Sequence, residues 1–391
     1  MRVLLLSCNT GEGHNSCAKA IKEYFEAQGD RCTIRDGLAF VSDKFARFIS
    51  WGHSCMYRHL PWLFKWGYGC AEKHPTVFQK GSPAYRFLAR GTERLYHYLH
   101  EEDYDAIICT HVFTALMLTA VLHTHTLRAT TFFVCTDYTC SPGAKESELN
   151  LYFIPDATLS AEFDSPNIPR DKQIPCGIPI RQIFYTACDA QTAKKAVGVS
   201  PAHRHLLLMC GSMGCGPIKK LLRLLSAQLP SDWELSVVCG NNKKLEKQLA
   251  ATYREHSNIH IHGYVENMAL MMESADLYLT KPGGISVTEA AMKQLPMVLI
   301  DAVAGCEEYN RLYYVRCGGA ETAGGAKELA ALCLQLMQRE DHRLRIQKHL
   351  AELKIGNAAA DIYDCVKKRL EETDDTDKTA TADCRLPQAA L

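Results

Sequence analysis

The sequence has no apolar run approaching the ~18 residues that a membrane span needs. It carries no net charge, and it contains no Cys-x-x-Cys pair and no Cys/His ladder with zinc spacing. The first absence restricts any membrane contact to peripheral attachment. The second argues against a nucleic-acid partner, because dedicated nucleic-acid binders are usually basic. The third makes the 18 cysteines scattered single thiols rather than a metal or disulfide framework. Cys109, Cys135 and Cys239 end apolar runs, where buried free thiols are expected, and such thiols fit a reducing cytosol. Two motifs are also missing. No Gly-x-Gly-x-x-Gly fingerprint is present, and no Asp-x-Asp stands in a loop suited to a metal. The apolar start, Met1 to Cys8, is too short for a signal-peptide core and reads as a first buried strand.

What is present is the material for two α/β cores. The chain has 391 residues, 47% hydrophobic and 23% charged, which predicts a globular protein too long for one ordinary core. Strands are predicted at 3–7, 32–34, 106–110, 131–136, 152–154 and 174–177, with helices at 16–28, 86–100 and 114–123. A polar helical stretch at 186–200 reads as a linker. A second series follows, with strands at 205–210, 234–239, 259–261, 277–280 and 297–300. Its helices are predicted at 217–228, 243–256, 267–273, 286–293, 307–315 and 326–338. The predicted organisation is a first domain over 1–185, a second over 201–355, a last helix over 356–370 and a disordered acidic tail over 371–391. Each half begins strand, glycine turn, helix, the opening of a doubly wound sheet. One segment breaks the rhythm. Phe45 to Lys73 holds three of the four tryptophans, interleaved with Arg47, Arg58 and Lys65. It suits a membrane-facing surface and equally an insert that packs into its own core.

Four segments carry chemistry. Gly11-Glu12-Gly13-His14 follows the first strand and opens a helix, where backbone approaches a ligand and a helix N-terminus attracts anions. His14 there suits a base or polar anchor. Gly211-Ser212 begins the equivalent turn of the second half. Lys281-Pro282-Gly283-Gly284-Ile285-Ser286 leads into a helix whose free N–H groups suit a diphosphate. Glu289, about one turn in, suits a ribose diol. Glu307, at the start of the next helix, suits hexose hydroxyls.

These segments, with Cys135-Thr136-Asp137-Tyr138 through Pro142 and His262-Gly263-Tyr264-Val265-Glu266-Asn267-Met268, resemble the monogalactosyldiacylglycerol synthase and processive diacylglycerol glucosyltransferase family. The wider relative is the lipid II-forming N-acetylglucosaminyltransferase. The resemblance covers roughly Met1 to Leu370. It implies an α/β GT-B fold, two Rossmann-like domains facing a cleft, and inversion at the sugar carbon with neither metal nor cofactor. UDP-glucose or UDP-galactose is the implied donor. His14 matches the acceptor-side histidine, with Gly11, Glu12 and Gly13 as its loop; Asp137 is placed to orient or assist that base in the expected mechanism. Gly211, Ser212, His262, Gly263, Tyr264, Val265, Met268, Lys281, Pro282, Gly283, Gly284, Ser286, Glu289 and Glu307 match the donor side. The sequence departs from the family pattern at Thr10, in place of a glycine, and at Cys306, in place of a glutamine. Ser141-Pro142 also replaces His-Pro, with no tryptophan following.

The expected activity is hexose transfer onto a membrane lipid, diacylglycerol being the first choice, at the inner face of the cell membrane. Two other readings share the fold features. One is a UDP-sugar 2-epimerase. The other is a non-catalytic nucleotide-sugar-binding regulator.

Overall fold

The computed structural model describes residues 1–9, 11–44, 46, 47, 49, 52, 60–214, 216–300 and 305–383. Side chains at 61, 64, 75 and 373–383 fall outside that description. Thr10, Phe45 and Arg58, singled out above, lie outside the described residues, as do Phe48, Trp51 and Tyr57 of the aromatic–basic segment and the tail beyond Asp383.

Strand β1 (Arg2–Ser7) shows how the first domain is built. Val3, Leu4, Leu5 and Leu6 are all fully buried. Successive strand side chains point to opposite faces. Val3 and Leu5 meet Cys17, Ile21 and Phe25 of the helix Glu12–Ala27. Leu4 and Leu6 join Leu95, Leu99 and Leu116 on the other face. A strand buried on both faces belongs in a parallel sheet. That sheet runs β2-β1-β3-β4-β5-β6 and is parallel throughout. Its other members are β2 (Arg31–Asp36), β3 (Ala106–Cys109), β4 (Thr130–Val134), β5 (Leu151–Ile154) and β6 (Gln173–Pro175).

The second sheet is also parallel, in the order β12-β11-β10-β7-β8-β9. It comprises β7 (Arg204–Met209), β8 (Trp233–Val238), β9 (Ile259–His262), β10 (Leu277–Thr280), β11 (Met297–Leu299) and β12 (Ala320–Thr322). This is the Rossmann strand order. The chain changes winding direction between β7 and β10, as it does between β1 and β3 in the first sheet. Ligands of open α/β sheets bind at the carboxyl ends of strands at such switch points.

Several elements depart from expectation, among them the helix Glu340–Glu352, which no predicted helix covers. β12 has no apolar run to announce it; its Ala-Glu-Thr is held by pairing with β11. The helix Pro61–Lys73 occupies part of the aromatic–basic segment, with Pro61 at its start, where a missing N–H costs nothing. The last helix runs from Ala358 to Asp383 and so passes the expected end at Leu370 into the predicted disordered tail. No glycine or proline interrupts the sequence before Pro387. This helix returns to the first domain, where Ile362 and Val366 are fully buried with Val3 and Leu5.

Among the described residues no helix is long and apolar enough to cross a membrane. The described cysteines are free thiols, and Cys109, Cys135 and Cys239 are buried as expected. Burial pushes the Cys109 thiol up to about 12.

A buried aromatic ties the two domains together. Tyr138, just beyond β4, lies 2.7 Å from the Tyr314 hydroxyl and 3.0 Å from Thr288 Oγ1, and its ring stacks on Tyr313 at 4.3 Å. Its backbone N–H donates to Asn310 Oδ1 at 2.6 Å.

Candidate active site

The two switch points open on one cleft of about 630 Å³. On the first-domain wall, His14 sits at the start of the helix Glu12–Ala27. Its Nδ1 lies 2.8 Å from the Thr110 carbonyl and 3.0 Å from Thr136 Oγ1. A carbonyl only accepts, so Nδ1 carries the proton and Nε2 keeps its lone pair. Burial holds the ring neutral, lowering its pKa to about 4, with the Thr110 hydrogen bond opposing. His111, directly after β3, packs against His14 in a T-shape at 4.5 Å. Its Nδ1 accepts from the Phe113 N–H at 3.0 Å, which places its proton on Nε2. The two imidazoles are therefore opposite tautomers, one with an accepting Nε2 and one with a donating Nε2.

Asp137 also lines the cleft. Burial pushes its pKa up to about 6, against a 2.7 Å hydrogen bond from Asn310 Nδ2. The expected pairing with His14 is not formed. Asn310, fully buried and reaching in from the second domain, claims the carboxylate, while the Thr110 carbonyl and Thr136 orient His14. The glycine loop also works differently from expectation. Gly11 has extended backbone that any residue adopts, and a Cβ there would meet nothing within 4 Å. The loop leaves open space rather than making a tight turn.

On the second-domain wall the glycines are required. Gly211 has φ +72°, and a Cβ on it would lie 2.4 Å from Lys281 Cε. Its bareness lets Lys281 cross the loop to reach Glu307, Nζ to Oε1 2.7 Å. The helix Gly284–Met292 starts at the cleft with Gly283 as its N-cap. The first N–H groups of a helix have no partner within it, so this end offers a dipole-assisted anion site beside the Lys281 ammonium. Ser286 lines the cleft, and its Oγ lies 2.9 Å from the Tyr278 hydroxyl. Glu289, one turn further, has its pKa pushed up to about 8 by burial, with Arg181 opposing.

Most of the sequence-predicted residues converge here. Gly11, Glu12, Gly13, His14, Asp137, Gly211, Ser212, Tyr264, Val265, Met268, Lys281, Gly283, Gly284, Ser286, Glu289 and Glu307 all line the cleft. His262, Gly263 and Pro282 do not. His262 closes β9 with Nε2 buried and unpartnered. Gly263 packs on Glu246, and the Pro282 carbonyl accepts from Asn310 at 3.0 Å. His111, Arg181 and Tyr68 line the cleft without having been singled out. Position after the apolar run 106–109 was a usable signal for His111, matching His14 after β1. Tyr68 was marked only as one aromatic of the segment Phe45 to Lys73, and nothing local marked Arg181.

The roof of the cleft is the helix Pro61–Lys73. Leu63, Tyr68 and Ala71 face the cavity, whereas Trp62 and Trp66 point outward, 67% and 65% exposed.

Comparison with known proteins bears on the family and the fold. Residues 14–180 match the monogalactosyldiacylglycerol (MGDG) synthase family, and residues 217–352 match the group 1 glycosyl transferases. The chain is 25% identical over 372 residues to a processive diacylglycerol beta-glucosyltransferase of Bacillus cereus, covering 93% of each chain. Among solved structures, MurG of Acinetobacter baumannii superposes with TM-score 0.59 at 13% identity, over 94% of this chain and 99% of that one. Anabaena Alr3699/HepE, solved in complex with UDP-glucose, gives TM-score 0.56 at 15% identity, over 95% and 100%. The fold is GT-B.

Proposed function

We propose, for a chain built from an MGDG synthase domain followed by a group 1 glycosyl transferase domain, that it is a hexosyltransferase moving a hexose from UDP-glucose or UDP-galactose to the hydroxyl of diacylglycerol. The observation that carries the proposal is the opposition of two walls in one cleft. A neutral histidine with an accepting Nε2 faces a helix N-terminus backed by a lysine.

In this reading His14 Nε2 takes the acceptor hydroxyl proton while the oxygen attacks the anomeric carbon from the face opposite the departing UDP. Negative charge grows on the diphosphate. The N–H groups at Gly284 and the Lys281 ammonium stabilise it where it develops, so turnover is expected to continue in EDTA. Glu289 accepts from the ribose hydroxyls. Apolar Leu63, Phe78, Val112 and Phe113 line the acceptor end and suit acyl chains. Trp62, Trp66 and Lys65 on the outer face of the roof suit the inner surface of a cell membrane. A UDP-sugar 2-epimerase of this fold would have no use for such a face.

The test is incubation with UDP-glucose or UDP-galactose and anionic vesicles containing diacylglycerol, in EDTA, read by mass spectrometry. Lipid bearing one added hexosyl group is expected. Its absence with both donors refutes the proposal, and a requirement for added magnesium or manganese refutes the metal-free mechanism. In the same vesicles, Trp62→Ser with Trp66→Ser should weaken cosedimentation at least about tenfold. Burying one large apolar side chain gives ~1.5–3 kcal/mol, and 1.4 kcal/mol is tenfold. Unchanged cosedimentation would place the membrane contact elsewhere.

Glu289 yields a pH prediction. With its pKa near 8 in the free protein, the carboxyl is largely protonated at neutral pH. Ribose hydroxyls donating to it favour the ionised form, so UDP binding releases a proton. Affinity should therefore rise with pH between 7 and 9 and level off above. Glu289→Gln should abolish the rise and weaken binding at pH 9 by ~1–3 kcal/mol. Calorimetry across that range gives the answer, and identical pH profiles for the two proteins would remove Glu289 from the ribose site.

A further inference from the structure

Tyr68 stands where the roof helix Pro61–Lys73 meets the helix Gly305–Arg316 of the second domain. Its ring covers Gly305 so closely that a Cβ at 305 would lie 1.8 Å from Tyr68 Cδ1. One turn further, Glu72 comes against Tyr309. The ring is held by both, and its hydroxyl is carried to the cleft beside Cys306, Asp137 and Ser141.

That hydroxyl is buried; among the described residues only Ser141 approaches it as a partner, and no hydrogen bond of full geometry satisfies it. Leaving a buried polar atom under-satisfied is costly, and buried hydroxyls are ordinarily paired. Burial also holds the group as a neutral phenol, with its pKa well above the ordinary value. It thus offers one donor and a lone pair together, the complement of a sugar hydroxyl. The second-domain groups nearest to it belong to the hexose end of the donor site. Of these, Glu307 is already paired with Lys281, and the Cys306 thiol is a weak hydrogen-bonding group. A hexose hydroxyl above Cys306 would find a strong partner in Tyr68 instead.

We infer that the Tyr68 hydroxyl hydrogen-bonds a hydroxyl of the donor hexose, making Tyr68 a residue that selects the donor sugar. The first domain then reads the sugar while the second holds the nucleotide. The inference rests on the reading of the cleft as a UDP-hexose site, and it adds which residue recognises the hexose. It also requires the roof to be in place before the sugar is bound correctly, so recognition of the sugar and closure over it become one event.

Tyr68→Phe removes the oxygen and keeps the ring on Gly305. The variant should fold with near wild-type thermal stability, because the ring contact is kept and the hydroxyl gives up only the weak approach of Ser141. Calorimetry without lipid, using UDP, UDP-glucose and UDP-galactose, provides the test. UDP affinity should stay at the wild-type value, and affinity for the better bound UDP-hexose should fall about tenfold, the worth of one well-made hydrogen bond. Equal loss for UDP and UDP-hexose would overturn the inference by making Tyr68 a structural or nucleotide-site residue. Wild-type affinity for both UDP-hexoses would overturn it as well and would point the hydroxyl at the acceptor. If the wild-type protein binds UDP-hexose and Tyr68→Phe binds it equally, only this inference falls. If the wild type binds neither UDP-hexose, the UDP-hexose reading falls with it.

Discussion

Replacing His14 with alanine should leave UDP affinity near the wild-type value and lower the transfer rate by about 10²–10⁴-fold, the usual worth of a positioned general base. The expectation comes from where the ring is held. Its anchors, the Thr110 carbonyl and Thr136 Oγ1, both belong to the first domain. The anion site formed by Gly283, Gly284 and Lys281 belongs to the second. The low pKa means that the ring is already neutral well below physiological pH. At saturating donor, where Glu289 is already ionised by binding, an acid limb in the rate profile near neutrality would therefore come from another group, and Asp137, near 6, is the candidate. His14→Ala with near-normal turnover would move the base to Asp137. Loss of UDP binding instead would show that the histidine supports the donor site.

A comparable loss is expected from a single methyl group at Gly284. A Cβ there would lie 2.0 Å from the Thr136 carbonyl oxygen and 3.1 Å from Asp137 Oδ1. Neither is the far end of a flexible side chain free to swing away. Backbone of the two domains must separate, and the separation falls between the base and the anion site. Displacement of reacting groups by about 1 Å costs on the order of 10²-fold in rate. Gly284→Ala should therefore retain the fold of each domain and lose transfer by that order, with UDP binding reduced far less. Steady-state kinetics beside UDP calorimetry checks it. Full activity would mean that the closed contact between Gly284 and Thr136 is not the reacting arrangement.

The parts of the site that were legible in the sequence are those fixed by local rules. The leucine run of β1 followed by the Gly11–His14 loop, and the Thr280 strand end followed by Lys281–Ser286, each place a ligand end beside a strand whose burial needs no partner to predict. What was not legible depends on residues far apart in the chain. Asn310 takes the Asp137 carboxylate across the domain boundary, and no spacing around Asp137 could reveal it. Tyr68 acquires its place from Gly305, far along the chain. The roof helix was ambiguous because tryptophans interleaved with basic residues suit a membrane-facing surface and a core-packing insert equally well. The structure divides it, one side to the cavity and the other outward. β12 was missed because pairing with β11, not apolar content, makes it a strand.

The return of the last helix to the first domain bears on how the protein is made. During synthesis, domains generally fold as units from the N-terminus while the chain lengthens at ~5–20 residues per second. Here Ile362 and Val366 fill the core beneath Val3 and Leu5, yet they leave the ribosome only after the entire second domain. Until then the nascent first domain must hold an open apolar groove along the helix Glu12–Ala27, where Phe25 awaits Tyr363 at a final ring distance of 5.0 Å. On a crowded polysome that groove is equally suited to the same helix from a neighbouring chain.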